Sequence, residues 1–504
     1  MPQKIVSCTF VIGWALCSLL ARADGPAAAG GEANTAAGRL YPGFARYTRQ
    51  VTITSREAQK WFDQGMQLLY GFNHDEAIRS FHQAPKLDPS CAMAWWGIAY
   101  AHGLHINNPE MGEEQSRLAS DAAAMENVWH QFPDDPDVGC LYAESLMNLQ
   151  PWDLWTAAGA PKGRTLEIVA VLKRTLAKKP DHPGAHHLLI HAIEASPWPQ
   201  RGLPSAQRLA QLVPGSGHLV HMPSHIYIRT GRYAEAVEHN QQAIAADEKY
   251  FAVAPPPDFY SLYFLHNIHF LAYAAMMEGR YETALSAARK IEKQVPPDFL
   301  KNHVKLADGF MPTTLHVLIR FGKWKEILQE PEAPPWRLLS RAERRFARAV
   351  ALANLGKIQE AQQELNQLEE IAKQMTDDWK MGNNRAADAL AIARRMAAGE
   401  IAYREGRREK AFGLLREAIA LEEKLTYDEP PGWMQPVRHA LGALLPADGK
   451  AVEAEDVYRA DLLRHPNNPW SLLVLCQHKT FGLSTCFHAG NCACIRLGYP
   501  KIRR

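Results

Sequence analysis

Beyond residue 23 the sequence has no apolar run long enough to span a bilayer, which excludes a helical membrane span from the body of the chain. Runs of β-branched residues are scarce and alanine is abundant, a balance that favours helix. Neither sign of charge prevails. Lys and Arg number 56 against 54 Asp and Glu, and loss of Lys4 and Arg22 with an N-terminal signal leaves 54 of each. A formally neutral chain argues against nucleic acid and against anionic lipid held by charge. A phosphate-binding glycine loop, a Gly-x-Ser-x-Gly elbow and a dinucleotide fingerprint are all missing, so the chemistries they support lack their residues. Cysteine is sparse until the end: Cys91 and Cys140 stand alone, whereas Cys476, Cys486, Cys492 and Cys494 crowd the last thirty residues.

The chain starts MPQKIVSCTFVIGWALCSLLARA. Lys4 gives a basic start, residues 5–20 are apolar, and Ala21-Arg22-Ala23 fits a small-x-small cleavage site. This pattern predicts a signal peptide over 1–23, a flexible Ala/Gly-rich leader over 24–40, and a periplasmic or secreted protein. In an exported protein disulfides are the default for the C-terminal cysteines. His478 and His488 lie among them, but the spacing fits no standard zinc pattern.

Internal repetition sets the fold. In residues 58–91, Trp61, Gly65, Leu68, Ala77, Phe81, Ala84 and Pro89 fall on the marker positions of a tetratricopeptide repeat of about 34 residues. Small residues at Gly65 and Ala77 allow two antiparallel helices to approach. Trp61, Leu68 and Phe81 fill the space around them, and Pro89 ends the second helix. The turn recurs as GRYAEA at 231, GRYETA at 279, FGKWKE at 321, LGKIQEA at 355, EGRREKA at 405 and DGKAVEA at 448. The expectation is an all-α solenoid of such hairpins.

From about 41 to 475 the chain resembles a group of exported bacterial tetratricopeptide-repeat (TPR) proteins that lack an assigned activity. The likeness is carried by WFDQGMQLLYGFNHDEAIRSF, CAMAWWGIAYA, QPWDLW, HPGAHHLLIHAIEAS, PGSGHLVHMPSHIY and DEPPGWMQPVRHALG. It implies export and a solenoid, and supplies no activity. The sequence departs from the group in its Cys-rich end. The expected organisation is first TPR-like repeats at 41–102, inserted or irregular helices at 103–181, His-rich repeats at 182–330, C-terminal repeats at 331–470 and a Cys-rich tail at 471–504.

Twelve of the 21 histidines fall between 182 and 316, about a quarter of the chain, too dense a cluster for composition alone. His218, His221 and His225 stand three and four residues apart, on one face of a helix. His266, His269 and Tyr273 repeat those positions one hairpin later, and His316 takes the last of them again. His187, His191 and Glu194 form another stripe just before. Val220, Ser224, Tyr227, Ile268, Ala272 and Ala275 take the positions that pack the hairpin, so the histidines are expected on a concave groove. His187, His191, His218, His221, His266 and His269 are expected to converge there, with His225, His316 and Glu194 supporting them or forming a second site.

Several neutral imidazoles in one groove each need partners for two nitrogens, and charged ones repel. A transition metal resolves both problems, and imidazole with carboxylate suits Cu, Zn, Fe or Ni. Three functions follow. The first is a scaffold that binds a peptide, protein or small molecule in its groove and carries a His-rich metal site. The second is a metal-dependent enzyme using that site, assisted by Tyr227, Tyr273 or Glu194. The third is a metal-free peptide- or protein-binding adaptor. The PWDLW stretch at 151–155 more often fills a core, but could wall a pocket with Asp153 as acid or base.

Overall fold

A computed structural model of the chain describes residues 39–44, 46–103, 105–107, 115–254 and 260–480. The segment expected to be a signal peptide and most of the expected leader lie outside these residues, as do Cys486, Cys492, Cys494 and His488. Among the described residues the protein is an all-α TPR-type solenoid, with one two-residue hairpin (Lys380–Met381 against Asn384–Arg385) as its sheet.

The first repeat shows why these residues make a hairpin. Arg56–Tyr70 is capped by the Ser55 hydroxyl and pairs with His74–Leu87, capped by the Asn73 side chain. Gly65 sits against the Phe81 ring, where a Cβ would be 2.5 Å from it, and Gly97 of the next helix presses the ring's other edge at 2.7 Å. The glycines therefore set the helix spacing. Ala77 and Ala84 are fully buried beside them.

The turns follow one rule with one exception. Gly231, Gly279, Gly322, Gly356, Gly406 and Gly449 all adopt the left-handed conformation that ends a helix, with φ between 63° and 89°. In the first repeat the equivalent position is Phe72, at φ 56°. A phenylalanine there is strained, because its Cβ crowds the backbone. Residues 103–181, which fit the repeat poorly, contribute Gln115–Gln131, Pro136–Asn148 and Thr165–Lys178.

The solenoid closes on itself. Trp470 Nε1 donates to the Met276 carbonyl at 3.0 Å, Gln435 Nε2 donates to the His316 carbonyl at 2.6 Å, and Met434 joins the apolar core of the N-terminal half. The segment between Ala418 and Val437 thus returns across the central hairpins. His439 bridges the closure: it accepts from Arg320 of the helix Thr313–Arg320 at Nδ1, and its Nε2 bonds Asp461 of its own repeat at 2.8 Å. Among the described residues no helix is long and apolar enough to cross a membrane.

Candidate metal centre

Three helical segments carry the centre. Pro183–Glu194 is set by its N-cap: His182 accepts from the Ala185 N–H, and Pro183 takes the first helical position. Gly217–His221 starts at Ser216, whose hydroxyl accepts from Leu219 N. It is followed by a separate short helix, Pro223–Arg229. One continuous stripe was expected here. Pro223 lacks the N–H that would continue the ladder, so the helix breaks at Met222. Met222 keeps helical angles (φ −50°, ψ −36°), and the three histidines still share a face. Gly217 is held against Asp247, which also accepts from Tyr260 and Asn267. The third segment is Ser261–Glu278.

The histidines do not line an open groove. His187, His191, His218, His221, His225, His266 and Glu194 are all buried, none more than 7% exposed. The curl of the solenoid and the returning segment cover the face that a straight array would leave open. His225 and Glu194, expected in support, stand inside the cluster. His269 stands apart, because three residues beyond His266 the helix has turned about 60° away from it. His269 and His316 line a neighbouring cavity of about 40 Å³ with His266, Asp428 and Glu429. His316 also lies 3.7 Å from the buried Glu343 carboxylate.

Hydrogen-bond partners fix the tautomers. His187 Nδ1 donates to the Tyr70 carbonyl at 2.7 Å. His191 Nδ1 donates to Glu194 Oε1 at 2.8 Å, and His225 Nδ1 to Glu194 Oε2 at 2.5 Å. His221 Nδ1 donates to Asn240 Oδ1 at 2.7 Å. That Asn240 orientation is set independently, because its Nδ2 donates to the Ala236 carbonyl at 2.7 Å. In the neutral form each of these four rings presents a bare Nε2. Yet His221 Nε2 and His225 Nε2 face each other at 2.9 Å, and His187 Nε2 faces His218 Nε2 at 3.1 Å. His191 Nε2 and His218 Nδ1 have no hydrogen-bond partner among the described residues.

Electrostatics keeps five of the rings neutral. Burial, with repulsion from neighbouring histidines, drives His187, His218, His221 and His266 well below the usual imidazole range. Burial also lowers His191, against the pull of Glu194. Burial would raise Glu194, but the hydrogen bonds it accepts from His191 and His225 outweigh it and lower the carboxylate to about 2. Neutral imidazoles oriented by a carboxylate, an amide oxygen and a backbone carbonyl are the form in which histidine binds metal.

Two aromatic residues with left-handed backbones brace the cluster. Phe72 is 4.5 Å from His187 and 5.7 Å from His218 between ring centroids, and it stacks on His105. Trp152, at φ 60°, meets His191 edge-on at 5.2 Å. Such strained residues gather at functional sites. Trp152 confirms PWDLW as a pocket wall, whereas Asp153 is exposed and paired with Lys162. Tyr227 packs on His239 and Arg232, away from the cluster. Sequence reasoning missed Tyr427, Asp428 and Glu429. Tyr427 Oη lies 3.3 Å from Glu194, and the two acids line a cavity of about 10 Å³ with His191, His218, His225 and His266. Their signal was the DEPPGWM stretch, whose place in space follows only from the closure.

The fold and the cluster define a closed helical-repeat protein with a buried histidine centre. No family model matches the chain, and no curated protein matches it significantly. Similar solved structures include the human IFIT1 dimer with m7Gppp-AAAA, at 12% identity, covering 86% of this chain and 91% of that one, with a TM-score of 0.33. Yeast Tom70 is 12% identical, covers 84% of this chain and 95% of its own, and has a TM-score of 0.27. Cut9-Hcn1 of the APC/C gives the same identity and TM-score, with 84% and 76% covered.

Proposed function

We propose that this protein holds a transition metal in a closed histidine centre built from the hairpins at 183–278. One observation carries the reading. His221 and His225 each have their ring hydrogen committed at Nδ1, and their bare Nε2 atoms nevertheless face each other at 2.9 Å. Two lone pairs at that distance repel unless a proton or a metal ion lies between them. Two nitrogens bound at about 2.0–2.1 Å to one ion are about 2.9 Å apart at a right angle and about 3.3 Å apart in a tetrahedral site, so the pair stands at or slightly inside ligand spacing. All-nitrogen ligation with a nearby carboxylate selects Cu, Zn, Ni or Fe over Mg or Ca.

The centre is enclosed, so what reaches it is small. The cavity of about 40 Å³ shares His266, Asp428 and Glu429 with the smaller one against His191 and His218. This continuity favours a metal-dependent enzyme acting on a small molecule over a scaffold that grips a peptide at the histidines. Export, resting on the N-terminal pattern, places loading of the metal outside the cytoplasm; an intact Met1 on protein from a cytoplasmic fraction would refute that part.

The test is metal content. Mature protein is dialysed against Cu, Zn, Ni and Fe in turn, then freed of loose metal. Wild type retains at least one equivalent of one of them, and His221→Ala with His225→Ala retains less. Wild-type protein that retains none carries a proton between these rings instead, and the proposal falls.

A further inference from the structure

The histidines of the cluster fall into two sets that share no residue. His187, His191 and His218 form one, and His221, His225 and His266 the other; within each set one ring nitrogen per residue lies within 4.8 Å of the other two. The sets are in contact, with His191 5.5 Å from His225 and His218 6.0 Å from His221 between centroids. Glu194 joins them: Oε1 accepts from His191 of one set, and Oε2 from His225 of the other.

A single ion could instead sit among His191, Glu194 and His225, which also lie within ligating distance of one another. The hydrogen bonds oppose this. The nitrogens facing Glu194 carry hydrogens and cannot ligate, while the bare Nε2 of each ring lies on the far side. His225 Nε2 is turned to His221, within its own triad.

We infer that the centre is dinuclear, with one transition-metal ion per histidine triad and Glu194 ordering one ligand of each. This rests on the metal-centre reading. Three imidazoles on each ion leave coordination positions open, the arrangement that reactive rather than structural sites use. The cavity of about 10 Å³ is lined by His191 and His218 of one triad, by His225 and His266 of the other, and by Asp428 and Glu429. It has room for about one water, which would touch both ions. Glu194 supplies negative charge; burial pushes the Asp428 and Glu429 carboxyls up to about 7 and about 8, and two divalent cations beside them would draw off their protons. Metal pairs of this kind clamp and activate one small oxygen ligand between them.

Stoichiometry separates the possibilities. Full-length mature protein, loaded with Zn(II) and dialysed, should retain two equivalents. His187→Ala with His218→Ala, and His221→Ala with His266→Ala, should each retain one, with circular dichroism confirming the fold. One equivalent in wild type overturns the two-ion inference and leaves the metal centre standing; none overturns both. A variant that loses both ions, or neither, overturns the assignment of one ion per triad. Should the variants fail to fold, wild type loaded with Cu(II) decides. At two equivalents neighbouring spins couple, so the paramagnetic signal per copper falls below that at one equivalent. An undiminished signal per bound copper would show distant sites and overturn the inference.

Discussion

Phe72 offers a test that separates strain from packing. It occupies the turn position that glycine holds in the later repeats, at φ 56°, and is 3% exposed between His105, His187 and His218. Removing a buried phenylalanine ring costs about 3–5 kcal/mol. Holding a non-glycine residue in the left-handed region costs roughly 1–2 kcal/mol. Phe72→Ala loses the ring and keeps the strain, whereas Phe72→Gly loses both. The glycine variant should therefore be the more stable of the two, by about 1 kcal/mol, although within a helix the order is the reverse by a similar amount. Both should lie below wild type. Guanidinium unfolding of the three proteins, followed by circular dichroism, measures the differences. An alanine variant more stable than the glycine variant would refute the strain. A loss below about 1.5 kcal/mol in both would refute the packing, because even a well-relaxed core loses more than that with a whole ring.

Two further predictions concern sites away from the histidines. Burial, only partly offset by the Tyr100 hydroxyl at 2.9 Å, pushes the Glu144 carboxyl from 4.5 up to about 7. The folded state therefore binds a proton that the unfolded chain has released, so this group's contribution is fullest below pH 4.5 and is lost as pH rises to about 7. Glu144→Gln should gain on wild type by roughly 2 to 3 kcal/mol between pH 5 and pH 8, at 1.36 kcal/mol per tenfold change; a difference constant with pH would contradict it. Gly406, at φ 82°, has open space where a Cβ would go. Gly406→Ala should lower stability by about 1 kcal/mol through backbone strain alone, and a loss above about 3 kcal/mol in thermal or denaturant unfolding would show an unrecognised contact.

The repeat architecture was legible because its signals are local. Turn glycines and small residues at the helix contact each act within a hairpin, and both behave as the sequence suggests. The histidine stripes were legible because helical spacing and repeat register put them on one face. Their grouping was less so. It depends on rotations of tens of degrees about the helix axes, which bring His225 and Glu194 inward and turn His269 aside. The rest lay beyond nearest-neighbour logic, in which a solenoid repeat touches only the next. Tyr427 reaches Glu194 across 233 residues because the array closes, and nothing in the periodicity announces closure. Phe72 was visible as a departure from glycine at a turn position, a signal that a strict alignment of the turns would expose.

The central claim is that a metal ion lies between imidazoles whose hydrogens point elsewhere. Crystals of the mature protein grown with Zn(II) and measured on both sides of the zinc absorption edge test it directly. The account predicts an anomalous-difference peak inside the cluster, about 2.0–2.1 Å from His221 Nε2 and His225 Nε2. Anomalous peaks confined to the protein surface or to the C-terminal cysteines, with none among the buried histidines, would contradict it.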